Sequence, residues 1–350
     1  MKTTILILIL GFLAFSAYSS KVDMTFSHFL KGEEVALDSD VLKVYQEFMI
    51  EHQGKTFNVN KDMDRFIIFK DNVRKIIAHN SNPDRTYEMG INHLSDKTEE
   101  ERLAYYYIMD KQECSATASP KNIYNDETPD SYNWLDLDMV SPVKDQKSCG
   151  SCWTFSTTGA MESHYKIHTG GEVLLSEQEL VDCPDTEKYD THGCNGGLPS
   201  IAFDFIHEFG LEDENNYPYQ GHDSDCRYDA SKPRVTTDGP FIIEEGNEEQ
   251  MKEELFHTGP VSVAFQVVSD FMSYKSGVYS SPDCKNSPQD VNHAVLAVGY
   301  GTDENGVDYW LVKNSWSETW GDEGYFKIQR GVNMCGIAVC NSYPINVRDA

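Results

Sequence analysis

The sequence has little positive charge. Its 350 residues include 29 Lys and Arg against 57 Asp and Glu, a formal net charge of −28 at pH 7. Such a chain repels phosphate backbones, which argues against nucleic acid as its main partner. The acidity indicates a solvated surface, and it also fits an acidic compartment, where carboxylate protonation reduces self-repulsion. With 39% hydrophobic residues, the chain can still bury a core, which argues against wholesale disorder.

Long hydrophobic runs are also missing. The longest, Ile5 to Phe15, follows Lys2 and precedes the small residues of Ser16 to Ser19. A basic start, a short apolar run and small residues before a cut are typical of a signal peptide, expected over residues 1–19. The run is shorter than the about 20 residues that span a bilayer. We therefore expect a soluble monomer without a membrane partner, in a lysosome or vacuole lumen or secreted, where disulfides are permitted.

The sequence has no internal repeats and no Asn-x-Ser/Thr glycan acceptor. The stretch before about residue 109 is strongly charged and contains one clear helical pattern. Five of its residues follow one another at three- and four-residue steps, which places them on one helical face: Arg65, Phe69, Asn72, Ile76 and Asn80. Val41 to His52 predicts a second amphipathic helix, and Gly90 to Asp96 an extended piece ending in a turn.

The composition changes after Cys114. Residues 114–129 are rich in Ser, Ala, Thr, Asn and Pro, which is typical of a linker. Helical patterns follow in Cys152 to His168, Ser176 to Val181 (where Ser176 and Glu179 form a capping box) and Pro199 to Phe209. Strands are predicted in Pro260 to Val268, His293 to Tyr300, Tyr309 to Lys313 and Gly324 to Arg330. A helical half thus precedes a strand-rich half.

Nine cysteines, an odd number, suggest a partner chain or one reactive free thiol in an oxidising compartment. They are Cys114, Cys149, Cys152, Cys183, Cys194, Cys226, Cys284, Cys335 and Cys340. Cys149 and Cys152 have the spacing of a thioredoxin-type redox pair or of half a zinc site. The first needs a βαβ context, and the second needs a further ligand pair; neither is evident in the sequence.

The segment Gln146 to Ser156 carries the most specific signal. Its Cys149-Gly150-Ser151-Cys152-Trp153 motif is followed far downstream by Asn292-His293-Ala294 and Lys313-Asn314-Ser315-Trp316. These motifs, together and in this order, resemble the papain family of cysteine proteases from Pro129 to Pro344. The resemblance implies an α+β, papain-like two-domain fold. It consists of a helical left domain and a β-barrel-like right domain with a cleft between them, preceded by a mainly helical inhibitory pro-domain.

The resemblance also implies roles. Cys152 would be the nucleophile at a helix start and His293 its base, forming a thiolate–imidazolium pair. Asn314 would orient His293, and Trp316 would shield that bond from water and contribute to substrate binding. Gln146 would donate to the oxyanion together with the backbone N–H of Cys152. No cofactor and no metal are expected.

Other cleft residues and the disulfides follow from the same resemblance. Gly196 and Gly197 would pair with substrate backbone, although they also suit an ordinary glycine-rich turn. Ser317 stands where the family has Gly, which puts the substrate fit of that stretch in doubt. The implied disulfides are Cys149–Cys194, Cys183–Cys226 and Cys284–Cys335, which leaves Cys152 free and Cys114 and Cys340 as a further pair.

A narrower resemblance, to the cathepsin H branch, rests on Glu113 to Thr117, Cys152 to Ala160, Gly197 to Ser200 and Asn333 to Gly336. It implies a mini-chain, residues 110–117, retained through Cys114. After a cut at Thr117-Ala118, the Thr117 carboxylate would meet the substrate's amino group and give aminopeptidase activity. Alternatively, Cys114 lies in a discarded pro-segment and the protein is a plain endopeptidase.

The N-terminal pattern resembles the family's inhibitory pro-segment. Arg65 to Asn80 matches its helix motif, with Lys61 at a normally acidic position, and Gly90, Asn92, Leu94 and Asp96 match its second motif. The resemblance implies that this segment crosses the cleft and that acid loosens it by protonating groups such as Asp96.

The expected organisation is a signal peptide (1–19), an inhibitory pro-domain (20–109), the mini-chain (110–117), a linker removed on maturation (118–127) and a mature peptidase domain (128–350). The expected partners are peptide or protein substrates, the chain's own pro-segment and cystatin-type inhibitors. A catalytically inactive binding protein of the same fold is the distant alternative.

Overall fold

The computed structural model describes residues 38–105 and 117–350. They divide into two compact units, the first ending at Thr98 and the second beginning at Glu99. The expected signal peptide and most of the expected mini-chain, including Cys114, lie outside the described residues. Within the described part, no helix is both long and apolar enough to cross a bilayer.

The first unit is built on two helices, α1 (Asp38–Gln53) and α2 (Val59–Asn80), followed by the short strand β1 (Tyr87–Met89). Rings from both helices pack together: Tyr45 lies 4.9 Å from Phe69 and 5.5 Å from Phe66, centroid to centroid. Phe69 and Ile76 are buried, as expected for one apolar face. Both predicted helices are therefore confirmed.

Two asparagines on α2 form hydrogen bonds with the backbone of the segment that follows this helix. Asn72 Nδ2 donates to the carbonyl oxygens of Ser95 and Lys97 at 3.0 and 2.9 Å. Asn80 donates to and accepts from the backbone of Met89, at 2.8 and 2.9 Å. These buried amides explain why Asn residues recur on the apolar face of the helix, since each Asn pairs with backbone groups of the chain that follows.

The second unit holds the remaining elements. Its helices are α3 (Glu99–Tyr105), α4 (Cys152–Thr169), α5 (Glu177–Asp182), α6 (Thr186–Tyr189), α7 (Pro199–Phe209) and α8 (Glu248–His257). Its strands are β2 (Tyr132–Asn133), β3 (Val235–Thr236), β4 (Pro240–Ile242), β5 (Val261–Phe265), β6 (Tyr274–Tyr279), β7 (His293–Thr302), β8 (Asp308–Lys313), β9 (Tyr325–Gln329), β10 (Ser342–Pro344) and β11 (Arg348–Asp349). Short 3₁₀ turns cover Gly193–Asn195, Phe271–Ser273 and Met334–Gly336.

Helix α4 is the centre of the helical half. Its first fourteen residues are buried, and Trp153 is completely inaccessible to solvent. The helix packs against α5, α7 and the strand β7. It ends at Gly170, which takes the left-handed conformation (φ 74°) that suits glycine. A helix buried on nearly all sides explains why its sequence shows little amphipathic contrast.

The capping box predicted for α5 is only half formed. Ser176 caps the helix by accepting from the backbone N–H of Glu179 at 2.9 Å. The carboxylate of Glu179, however, accepts from the backbone N–H of Glu212 at 2.8 Å instead of returning to Ser176. Because that tertiary partner competes for the carboxylate, the second half of the capping box was a wrong prediction.

The strand-rich half is a mixed sheet in the order β6-β9-β8-β7-β5-β10-β4, with β2 added to β7. Strands β6 and β9 pair in parallel, whereas β9, β8, β7 and β5 pair antiparallel with their neighbours in that order. The four predicted strands are present, with β7 extending to Thr302 and β5 ending at Phe265. Helix α8 and strands β6 and β10 were not predicted, because their short or charged segments carry no clear period.

Three disulfides are present as expected: Cys149–Cys194, Cys183–Cys226 and Cys284–Cys335. The first two tie loops of the helical half, while the third ties the strand-rich half. Cys340 is also disulfide-bonded; its expected partner, Cys114, lies outside the described residues. Cys152 is the free cysteine of the described residues, as the sequence predicted.

Candidate active site

Cys152 occupies the first position of α4, directly after the N-cap residue Ser151. Its side chain is 2% exposed. The backbone N–H of Ala294 donates to Cys152 Sγ at 3.4 Å. Ala294 follows His293 at the start of β7. The contact therefore places the first residues of this strand next to the thiol at the start of α4.

His293 and Asn314 form the next contact. His293 begins β7 and Asn314 follows β8, and the two strands are neighbours in the sheet. His293 Nε2 lies 2.8 Å from Asn314 Oδ1. Because an amide oxygen accepts, Nε2 carries the proton, which leaves Nδ1 as the nitrogen that can receive another. The wholly buried Trp316 stacks on the imidazole at 4.7 Å between centroids.

Burial sets the protonation of the two reactive groups. It raises the pKa of the Cys152 thiol to about 11, against the lowering effect of backbone N–H donors such as that of Ala294. It lowers the pKa of the His293 imidazole to about 4, against the raising effect of its bond to Asn314. Burial thus favours the neutral form of each group, because both charged forms are deprived of water. The expected ion pair between them stays a prediction.

Gln146 is fixed by contacts at both ends of its amide. Its Nε2 donates to the carbonyl of Cys149 at 2.9 Å, and its Oε1 accepts from Ser315 Oγ at 2.7 Å. Its backbone N–H donates to the carbonyl of Ser315 at 2.9 Å. Sequence reasoning missed Ser315 as the residue that orients this amide, although it lies inside the Asn314 motif and could have been found there.

The glycines at Gly196 and Gly197 have a structural reason. Gly196 has a φ of 119°, a conformation that favours glycine. A Cβ on Gly197 would lie 2.8 Å from ring carbons of Trp153, so the backbone rests directly on the indole. Backbone conformation thus accounts for Gly196 and packing for Gly197, and their expected pairing with substrate stays a prediction.

The redox and zinc interpretations of Cys149 and Cys152 lose their basis. Cys149 is bonded to Cys194, so it does not form a dithiol with Cys152. Across residues 38–105 and 117–350, no group of three or more His, Cys, Asp or Glu side chains is placed to hold a metal ion.

Ser317 is strained. Its φ of 70° is rare for any residue with a side chain, and its N–H donates to the carbonyl of Lys144 at 3.1 Å, so the backbone cannot easily relax. Ser317→Gly is expected to raise the free energy of unfolding by about 0.5–1 kcal/mol, because glycine adopts this conformation without clash. Chemical denaturation measures it. Ser317→Ala, which keeps the Cβ, should bring no gain; an equal gain would contradict the strain.

Thr117 and Cys340 bear on the expected mini-chain. Thr117 and Ala118 are exposed, which suits a cut between them. Cys340 is a half-buried neighbour of the buried cluster that Ala264, Val291 and Val339 form. Val291, which belongs to this cluster, lies two residues before His293 in the chain. The disulfide of Cys340 is therefore anchored beside the segment that leads to the imidazole.

Two family models match the chain. A model described as papain family cysteine protease matches residues 128–345. A model described as cathepsin propeptide inhibitor domain matches residues 45–102. The first spans most of the second unit, including Gln146, Cys152, His293 and Asn314, and the second spans α2 and the latter part of α1.

Relatives match over most of their length. Pro-cathepsin H of Bos taurus is 46% identical over 303 residues, 86% of this chain and 89% of the relative. Pro-cathepsin H of Medicago truncatula is 48% identical over 295 residues, 83% of each. Among solved structures, digestive procathepsin L 3 from the larval midgut of Tenebrio molitor superimposes with a TM-score of 0.78 at 37% identity, covering 87% of this chain and 99% of that one.

Proposed function

The chain belongs to the papain family of cysteine proteases and carries an inhibitory propeptide domain, and we propose that Cys152 is the nucleophile of a peptidase with cathepsin H-like aminopeptidase activity. The observation that carries the catalytic assignment is the convergence of Cys152, His293 and Asn314 from a helix and two strands. Peptide hydrolysis is the reaction of the family, and these residues supply the parts that it needs.

The proposed reaction begins with proton transfer from the Cys152 thiol to Nδ1 of His293, whose other nitrogen is held by Asn314. The thiolate attacks the scissile carbonyl carbon, and the oxygen takes the negative charge. A Gln146 N–H and the Cys152 backbone N–H stabilise that oxyanion. The C–N bond then breaks as His293 returns the proton to the leaving amine. Water, activated by His293, hydrolyses the thioester and restores the thiol.

Burial favours the neutral forms of Cys152 and His293. A thiol with a pKa of about 11 is almost wholly protonated below pH 8, and the protonated form is a poor nucleophile. Access of water to the site would favour the charged forms of both groups. Activation is therefore proposed to change the protonation of Cys152 as well as the access of substrate.

The aminopeptidase activity rests on the expected mini-chain. Relatives from cattle, mouse and Medicago truncatula carry the name pro-cathepsin H. In addition, Cys340 is disulfide-bonded, and Thr117 and Ala118 are exposed. A carboxylate created at Thr117 would pair with the substrate's ammonium group, and in a partly dry cleft such pairs are stronger than in water. A lysosome or vacuole lumen, or an extracellular site, is the proposed location.

Two fluorogenic arginine substrates test this proposal, one with a free and one with a blocked amino terminus, at about pH 5 with the acid-activated protein. We expect preference for the free terminus, and about a 10- to 100-fold loss of that preference in Cys114→Ser, the value of one charge-assisted hydrogen bond. Ser115→Ala, next to it, should keep the preference. Better cleavage of longer blocked peptides in both proteins would leave a plain endopeptidase.

A further inference from the structure

Residues 117–127 contain no helix or strand, yet they are not a loose linker. Ser119 adds itself to the edge strand β4: its N–H donates to the carbonyl of Ile242 at 2.9 Å, and its Oγ accepts from the N–H of Ile242 at 3.0 Å. Lys121 forms an exposed ion pair with Glu253 at 3.2 Å, a contact that contributes little.

The main contact is a buried carboxylate. Glu254, on α8, is 0% exposed. Its Oε2 accepts from the Tyr124 hydroxyl at 2.5 Å, from Asn122 Nδ2 at 3.0 Å and from the Tyr343 hydroxyl at 2.8 Å. Asn122 Nδ2 also donates to the Tyr343 hydroxyl at 3.0 Å. Two of the three donors to Oε2 therefore come from the segment before the mature domain.

The aromatic ring of Tyr124 is held as firmly as its hydroxyl. It stacks on the imidazole of His257 at 3.9 Å between centroids, with the planes 11° apart. Burial and the neighbouring Glu254 carboxylate raise the pKa of both Tyr124 and Tyr343, so both hydroxyls stay protonated and donate. Ile123, between the two anchoring residues, is 90% exposed, so the contact is made by alternate side chains, as in an added strand.

We propose that Ile242, Glu254, His257 and Tyr343 form a peptide-docking site of the mature domain, and that its occupant is Ser119–Tyr124 of the same chain. Without this segment, Tyr343 would be the one side-chain donor left to Glu254 among the residues that the structure describes. The carboxylate would then lose most of its compensation for burial. The site therefore fits a peptide that carries an amide side chain and, two residues later, a phenol hydroxyl, as Asn122 and Tyr124 do.

Docking has a consequence for processing. A protease needs several consecutive residues free of the surface, so a docked segment is cut only after it detaches. Cleavage is therefore directed to the exposed flanks, at Thr117-Ala118 and at residues 125–127. Thr117 lies two residues before Ser119, so before the cut it stays within about 7 Å of that residue.

Lys121 offers a direct test, because trypsin cuts after lysine and its side chain is exposed. The full-length Cys152→Ser protein, which cannot process itself, is digested briefly, and cleavage of the Lys121-Asn122 bond is followed by mass spectrometry. We expect Tyr124→Phe to speed this cut about 10-fold and Glu254→Gln to speed it at least as much, since each weakens a hydrogen bond to a charged group.

Ile123→Ala is the matched control, because this side chain is solvent-exposed; it should change the rate less than about twofold. Tyr124 lies outside the expected mature domain, so its variant tests docking even where Glu254→Gln fails to fold. Equal rates in the parent and in Tyr124→Phe, or equal acceleration by Ile123→Ala, would overturn the proposal. The assay needs no peptidase activity, so its outcome is independent of the proposed function.

Discussion

Replacing Cys152 with serine is expected to lower kcat/KM for peptide hydrolysis by about 10⁴- to 10⁶-fold, the range for loss of a nucleophile in hydrolases that act through a nucleophile–base pair. A hydroxyl is much less acidic than a thiol, so the neutral His293 does not generate an equivalent anion. The described thiol lies at the helix start with a backbone donor at 3.4 Å, a geometry that serine can fill without disturbing the fold.

The measurement uses precursor activated by an added acid protease, so that loss of self-activation is not mistaken for loss of catalysis. His293→Ala should lose a similar factor, and the double variant little more, because the two groups act as one unit. A thiol-directed epoxide should label Cys152 in the parent and nothing in Cys152→Ser. Activity within tenfold of the parent, in a correctly folded Cys152→Ser protein, would end the assignment of Cys152 as nucleophile.

Replacing Gln146 with alanine is expected to lower kcat by about 10²- to 10³-fold with little change in KM, as removal of one oxyanion donor does in other hydrolases. The amide is held in place before substrate arrives, by Cys149 through its nitrogen and by Ser315 through its oxygen. Such prior orientation makes a donor effective, because no reorganisation is needed when the negative charge develops.

Ser315→Ala is the matched variant for this prediction. It removes the hydroxyl that orients the amide and leaves the amide itself, so kcat should fall by only about tenfold, the value of one hydrogen bond. Steady-state kinetics with one fluorogenic substrate separates kcat from KM for both variants. A Gln146→Ala effect confined to KM would assign Gln146 to substrate binding and remove it from the oxyanion site.

The sequence determined more than its helices and strands. The spacing of Arg65, Phe69, Asn72, Ile76 and Asn80 predicted one helical face, and the structure shows α2 with that face buried or bonded to the returning chain. An odd cysteine count suggested a partner chain or one reactive free thiol, and Cys152 is free among the described residues. Local periodicity and chain-wide counting suffice for such features because neither depends on which distant segments meet.

Distances and protonation required the tertiary structure. The order of motifs identified His293 and Asn314, but the 2.8 Å contact between them depends on β7 and β8 being neighbours in the sheet. The helix start and the neighbouring imidazole favour the charged thiolate, whereas burial raises the pKa of Cys152 and lowers that of His293. Desolvation depends on everything packed around a group, so no local motif encodes it.

The docked segment Ser119–Tyr124 is the clearest case of a feature that depends on tertiary contacts. Composition indicated a linker over residues 114–129, which are rich in Ser, Ala, Thr, Asn and Pro. Tyr124 and Asn122 are ordered because Glu254, 130 residues from Tyr124 along the chain, is buried and accepts their hydrogen bonds. The sequence alone indicated the reaction family, the candidate catalytic residues and about half of the described helices and strands. Folding was needed to bring distant polar groups together, because their mutual burial depends on contacts that no local pattern contains.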